Sequence, residues 1–190
     1  MEFIDQEGDG VKIFVIIGMP AAGKNIARNY AEAKDLPYFA TGDIVRTEVK
    51  KRGLMEDAAN TAKVSDELRG ADGMGVTRLA LEEVLSSRMS VVFLEGMRSW
   101  PEIELIRQKV DCVVVAFLAP KSLRRSRMVA RGRADDSLQA FEERDRREIA
   151  YGTSVPIALA DEYILNTKTM EDAIRELDQI IKKNSALFIP

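Results

Sequence analysis

Gly18 is followed, after four intervening residues, by Gly23 and Lys24, within the run Val-Lys-Ile-Phe-Val-Ile-Ile-Gly-Met-Pro-Ala-Ala-Gly-Lys-Asn-Ile-Ala-Arg. An apolar segment precedes these residues and a helical pattern follows them. Glycines at this spacing let successive backbone N–H groups turn inward around an anion, and the N-terminus of the next helix adds its partial positive charge. The chemistry is phosphate binding. Gly18, Met19, Ala21, Ala22, Gly23, Lys24, Asn25 and Ile26 are the candidate contacts to ATP, with Lys24 giving a full charge to the β- and γ-phosphates. One residue departs from the pattern: Asn25 stands where serine or threonine is expected.

Two further segments carry polar groups at the ends of apolar runs. In Ala40-Thr41-Gly42-Asp43-Ile44-Val45-Arg46, Thr41 or Asp43 is suited to cap a helix, and a helix start with a free hydroxyl also suits a second anion. In Leu94-Glu95-Gly96-Met97-Arg98-Ser99-Trp100-Pro101, Glu95 ends a buried-type strand. A carboxylate there is costly unless metal-bound water or a basic partner meets it. Arg98 can grip a phosphate bidentately or pair with Glu102 one turn on. Arg124, Arg127 and Arg131 share a helical face, as do Arg144 and Arg147 further along. Convergent arginines stabilise the charge that spreads over equatorial oxygens in phosphoryl transfer; the alternative is a solvated helix face with Arg144 and Arg147 paired to Glu142, Glu143 or Glu148.

The elements that must position these residues alternate. Five short strands are expected at Val11–Ile17, Pro37–Ala40, Val91–Leu94, Val113–Leu118 and Glu162–Asn166. The first, third and fourth are continuously apolar, as strands covered on both faces are. Helical periodicity occupies Lys24–Lys34, Ile44–Arg52, Ala62–Leu85, Pro101–Lys109, Ser122–Arg131, Leu138–Tyr151 and Met170–Lys183, with Gly70, Gly73 and Gly75 interrupting the long third segment. The fold class is α/β: a three-layer arrangement of a five-stranded parallel sheet with helices on both faces, whose ligands bind at the carboxyl ends of the strands.

The chain of 190 residues, 46% of them hydrophobic, is the length of one domain with one proper core. Residues 1–10 read as a loose polar extension and 11–190 as the domain. No apolar run reaches the length of a membrane span, and no signal-peptide pattern is visible. The lone Cys112 lies in an apolar run and has no internal disulfide partner, which fits a reducing cytoplasm. A net charge of -3 disfavours nonspecific nucleic-acid binding, and a monomer or small homo-oligomer is expected. There is no histidine, so a phosphohistidine intermediate is excluded, and direct in-line transfer between two bound substrates is left.

GMPAAGKN, FATGDIVRTEVKKRG and VVFLEGMRSWPEIE, in this order and spacing, resemble adenylate kinases and their nucleoside-monophosphate kinase relatives. RGR-x-DD, ERD-x-RE and an ADEYILN-type last strand resemble the archaeal adenylate-kinase-related proteins, and the likeness covers about residues 11–185. It implies a Mg²⁺-ATP-dependent phosphotransferase with an acceptor-binding part at about 41–88 and a short helical lid at about 121–147, in which Lys24, Arg98, Arg127 and Arg131 are catalytic. It implies further that Thr41, Gly42, Arg46, Gly96 and Arg98 hold the acceptor monophosphate, and that Asn25, Asp43 and Glu95 serve the metal and its water shell. Asn25 lacks the hydroxyl that ordinarily ligates Mg²⁺ in this family, and Glu95 replaces the usual aspartate, so weak catalysis or a nucleotide-bound regulator is the alternative. The last strand and helix also resemble dephospho-coenzyme A kinases, which keeps a hydroxyl acceptor open.

Overall fold

The computed structural model describes residues 11–132 and 137–185. The expected extension at 1–10 and part of the expected lid, residues 133–136, lie outside the described residues. The chain runs β1 (Lys12–Ile17), α1 (Asn25–Ala33), β2 (Tyr38–Ala40), α2 (Thr41–Lys51), α3 (Ala58–Arg69), α4 (Gly75–Ser86), β3 (Val91–Glu95) and α5 (Trp100–Arg107). It continues through β4 (Asp111–Leu118), α6 (Lys121–Arg131), α7 (Leu138–Ala150), α8 (Ser154–Ala158), β5 (Glu162–Leu165) and α9 (Met170–Asn184). The five strands form one sheet in the order β2-β3-β1-β4-β5, every neighbouring pair parallel.

Two-residue alternation along each strand divides the core. Phe14 and Ile16 of β1, Phe93 of β3, and Val115 and Phe117 of β4 face α1 and α9. Ile13, Val15, Ile17, Val92, Leu94, Val114 and Ala116 face the opposite way, toward α4 and α5. Both faces are covered, which is why these strands are apolar at every position except their ends, Lys12, Glu95 and Asp111. Burying side chains of this size contributes about 1.5–3 kcal/mol each. A smaller cluster, Val45, Val49, Val64 and Val76, joins α2, α3 and α4 beside the sheet.

The glycines that interrupt Ala62–Leu85 divide it into two helices, α3 and α4: Gly70 follows α3 at a positive φ of 68° and Gly75 starts α4. Two local expectations are corrected. The helix expected at Ile44 begins at Thr41. Its N-cap is Ala40, with no side-chain cap bond, so neither Thr41 nor Asp43 caps it; Thr41 packs against Gly96 and Asp43 turns to arginines instead. The short α8, five residues around Pro156, was not expected; it offers too little periodicity to read.

The sheet alone does not hold α6 to α7. Arg124 of α6 sends two bonds to Asp145 of α7, at 2.7 and 2.6 Å, and a third at 3.0 Å to the Pro20 carbonyl. Both side chains are buried, and the guanidinium also lies 5.2 Å from the Phe141 ring. Removing one member leaves an uncompensated buried charge, so Arg124→Ala is expected to lose about 3–5 kcal/mol of stability. Chemical denaturation of the variant against wild type measures it.

Candidate nucleotide-binding site

The carboxyl ends of the strands meet at one place. The register sets Ile16 of β1 and Ala40 of β2 on either side of Glu95 in β3. The loop after β1 therefore leaves the sheet beside the end of β3, over the N-terminus of α1. A cavity of about 560 Å³ opens there. Gly18, Ala21, Gly23, Lys24 and Asn25 line it from the β1–α1 loop, Glu95, Gly96 and Arg98 from the end of β3, and Arg127 and Arg131 from α6. Arg144 and Glu148 of α7 and Thr153 complete the wall on the lid side.

The loop is shaped by close approach. Gly23 has φ +108°, and a Cβ on it would overlap the side-chain amide of Asn166 at the end of β5. That amide donates to the Ala22 carbonyl at 2.8 Å, while its oxygen accepts from Arg127 at 3.2 Å. Arg127 also donates to the Asn166 backbone oxygen at 2.9 Å. One buried asparagine thus joins the loop, the last strand and α6. Ala21, in the same turn, sits at φ 60°, a left-handed conformation that costs energy for a residue with a side chain.

Lys24 bends back over the loop and donates to the Gly18 carbonyl at 2.8 Å, with Glu95 3.9 Å away. Burial pushes its pKa down, Glu95 and Glu148 pull it back up, and Arg98 and Arg124 lower it further. Glu95 is itself oriented. Tyr38, two residues before Ala40 on the same face of the sheet, reaches along the strand and donates its hydroxyl to Glu95 Oε2 at 2.7 Å. Burial and the nearby Glu95 charge drive the Tyr38 phenol well above its ordinary range, so it stays a donor at neutral pH.

At the end of β3, Gly96 has φ +112°, and a Cβ there would strike the Thr41 hydroxyl. Arg98 follows. Its backbone N–H donates at 2.8 Å to Glu102, a carboxylate that also takes bonds from Ser99 and from the buried Thr77 hydroxyl. Its side chain does not pair with Glu102; the guanidinium lies 4.8 Å from the Tyr151 ring, and its Nε is 3.3 Å from Glu148.

The candidate residues divide accordingly. Gly18, Ala21, Gly23, Lys24 and Asn25 of the loop, with Glu95, Gly96, Arg98, Arg127 and Arg131, are brought to one cavity, whereas Met19, Ala22, Ile26, Thr41, Gly42, Asp43 and Arg46 do not line it. Thr41 is buried beneath Gly96. Asp43 accepts from Arg46 and, at 3.0 Å, from Arg28, whose guanidinium stacks 4.5 Å over Tyr38. Ala22 and Ile26 are core residues under the loop. Arg144 reaches the Met128 sulfur at 3.7 Å as well as the cavity. Tyr38, Glu148 and Thr153 were not anticipated. Tyr38 reads as an ordinary strand aromatic, and Glu148 as one charge in a helix full of them.

The comparisons with known proteins agree with this geometry. A family model described as an AAA domain matches residues 17–142. A UPF0200 protein from Methanosarcina acetivorans is 33% identical over 176 residues, covering 90% of this chain and 94% of that one. Another, from Methanocaldococcus jannaschii, is 38% identical over 174 residues and covers 88% of each chain. The chain belongs to the UPF0200 family. Among solved structures, the shikimate kinase from Acinetobacter baumannii in complex with shikimate aligns over 93% of this chain and 95% of its own, with a TM-score of 0.57 and 16% identity. TT1252 from Thermus thermophilus aligns over 93% and 100%, with a TM-score of 0.66 and 18% identity. These likenesses establish the fold: this UPF0200 member is a P-loop protein of kinase-like architecture. Among the described residues, no helix is long and apolar enough to cross a membrane.

Asp43 gives the site a pH signature. Burial opposes its charge, but the bonds from Arg46 and Arg28 outweigh burial and hold its pKa below the ordinary 3.8. A depressed carboxylate stabilises the folded state above its unfolded pKa, and that contribution is lost as pH falls through the folded value. The stability difference between wild type and Asp43→Asn should therefore be constant at neutral pH and close as pH falls below 3.8. Urea titrations across acid pH check this.

Proposed function

We propose that this protein is an ATP-binding small-molecule kinase that transfers the γ-phosphoryl group of ATP to a nucleoside monophosphate such as AMP. The observation that carries the reading is the convergence of Lys24, Arg98, Arg127 and Arg131, from three separated stretches of chain, on the one cavity that the phosphate-binding loop lines. Phosphoryl transfer demands alignment and charge neutralisation more than covalent chemistry, and that set supplies both. The loop and Lys24 hold the β- and γ-phosphates. The acceptor's phosphate oxygen attacks the γ-phosphorus in line, the bond to the β-bridging oxygen breaks, and ADP leaves. A phosphate acceptor is already an oxyanion at neutral pH, so no general base is needed.

Mg²⁺ is the implied cofactor, and the donor set fits it in part. Asn25 and Glu95 line the cavity, and both offer the oxygen ligands that a hard cation takes, alongside phosphate oxygens and water. Asp43 is engaged by Arg28 and Arg46 and does not line the cavity, so its role in the water shell is set aside. The ion, when bound, neutralises charge on the transferring phosphate. Tyr38 fixes one oxygen of Glu95 and leaves the other, Oε1, toward Lys24. Among the described residues there is no cluster of three or more metal-ligating side chains, which suits an ion carried in on a nucleotide.

Asn25 favours a second reading, a nucleotide-bound regulator or slow ATPase. The absent hydroxyl weakens the hold on Mg²⁺ without weakening the hold on phosphates. Transfer of labelled γ-phosphate to AMP, other monophosphates, dephospho-coenzyme A or no acceptor separates the readings. A labelled product with one acceptor, far above hydrolysis, is the kinase; tight binding without acceptor-dependent turnover is the regulator. Lys24→Ala should reduce ATP affinity by about 2–4 kcal/mol in calorimetry, the loss of a charge-assisted phosphate contact in a partly buried site; unchanged affinity would remove the phosphate-loop role. Asn25→Thr should lower the Mg²⁺ concentration needed for half-maximal turnover and raise kcat, by about tenfold if one direct ligand is restored.

A further inference from the structure

The cavity holds one group that phosphate chemistry does not call for. Glu148, on α7, puts a carboxylate among Lys24, Arg98, Arg127 and Arg131. Its neighbours on α7 have other partners outside the cavity: Glu142 pairs with Lys121, and Asp145 with Arg124. Glu148 instead points into the cavity, 19% exposed, with Oε2 3.3 Å from Arg98 Nε and accepting the Thr153 hydroxyl at 3.3 Å. Arg98 is held from its other sides. Glu102 fixes its backbone N–H, and the Tyr151 ring supports its guanidinium. Arg69, 5.4 Å from the same ring, lies behind it, with Glu102 4.0 Å away, and does not line the cavity. The Glu148 charge is also felt at Lys24, which it pulls toward the protonated state. A carboxylate that faces both the loop lysine and Arg98 stands where an acceptor's anionic group must lie.

We propose that Glu148 is a specificity-determining residue: the internal counter-anion of Arg98, displaced by an acceptor carrying a dianionic phosphate monoester and not by one carrying a single negative charge. This rests on the monophosphate-acceptor reading above. Exchanging a carboxylate for a monoanion leaves the charge on Arg98 matched as before, whereas a dianion adds one unit of attraction toward Arg98 and Lys24. In a partly desolvated cleft one unit of charge at contact distance is decisive. Discrimination then comes from the group that must be displaced as much as from the groups that attract.

The test is calorimetry at pH 7.5 on wild type, Glu148→Gln, Arg98→Ala and the double variant. The probes are AMP, its phosphate monomethyl ester and inorganic phosphate. AMP is a dianion at this pH and the ester a monoanion. Glutamine keeps the volume of Glu148 and its bond from Thr153, and thermal melts show that each variant is folded. Wild type should prefer AMP over the ester by about fiftyfold or more; Glu148→Gln should bind AMP and phosphate about tenfold tighter and narrow the preference to about fivefold. In the Arg98→Ala background the same substitution should give no gain. Unchanged or weaker AMP and phosphate binding by Glu148→Gln overturns the proposal, as does a gain that persists without Arg98. If AMP binds none of the proteins, the monophosphate reading fails by itself, and phosphate still decides on Glu148: tighter binding by the glutamine variant supports its place on Arg98, and equal binding refutes it.

Discussion

The constraint on which the site depends is electrostatic: positive side chains from the loop, the end of β3, α6 and α7 share one cavity of about 560 Å³. Like charges in such a space repel at low local dielectric, and at Lys24 burial lowers the pKa, Glu95 and Glu148 oppose that, and Arg98 and Arg124 add to it. Two carboxylates keep the cluster folded, Glu95 beside Lys24 and Glu148 beside Arg98. Each is secured by a hydroxyl, from Tyr38 and Thr153 respectively. The arrangement is therefore poised: anions are present, but they are side chains, and phosphate oxygens make a better match for the same cations.

Around that cluster the arginines divide by burial. Arg124 is a structural residue, sealed against Asp145 and the Pro20 carbonyl. Arg127, one turn further along α6, is tied to Asn166 and lines the cavity. The pair sets α6 against the phosphate loop from two directions, because Arg124 holds the carbonyl of Pro20 and Asn166 holds that of Ala22. A second network, Asp43 with Arg28 and Arg46, lies beside β2 and meets the cavity's Glu95 through the Tyr38 ring on which Arg28 rests. The residues expected at an acceptor site thus form two groups, one around Arg98 in the cavity and one around Arg46 outside its lining.

Much of the architecture was legible in the chain. Continuous apolar runs at 13–17, 91–94 and 113–118 fit strands covered on both faces, as in a parallel sheet, and the helical periodicity between them leaves little freedom in connection. Gly18, Gly23 and Lys24 announce a phosphate loop because their spacing is itself the mechanism, being local backbone chemistry that needs no distant partner. What was misread was also local in kind. The N-cap at Thr41 failed because its side chain packs against Gly96, a contact 55 positions away that no window of sequence contains. The break into two helices, by contrast, is legible in Gly70, Gly73 and Gly75, and α3 and α4 then pack together around Val64 and Val76.

The sequence by itself determined the fold class, the phosphate loop and the residue types available for phosphoryl chemistry, since hydrophobic period and glycine spacing act over a few residues at a time. Only the tertiary structure decided how each charge is used. Tyr38 reaches Glu95, Asn166 reaches Ala22 and Arg127, and Glu148 reaches Arg98 across separations of 57, 144, 39 and 50 residues. An ion pair or a hydrogen bond has no period. Which of several acidic residues on α7 turns toward the cavity is fixed by the packing of α6, α7 and the end of β3, and that packing places Asp145 against Arg124 and leaves Glu148 to Arg98.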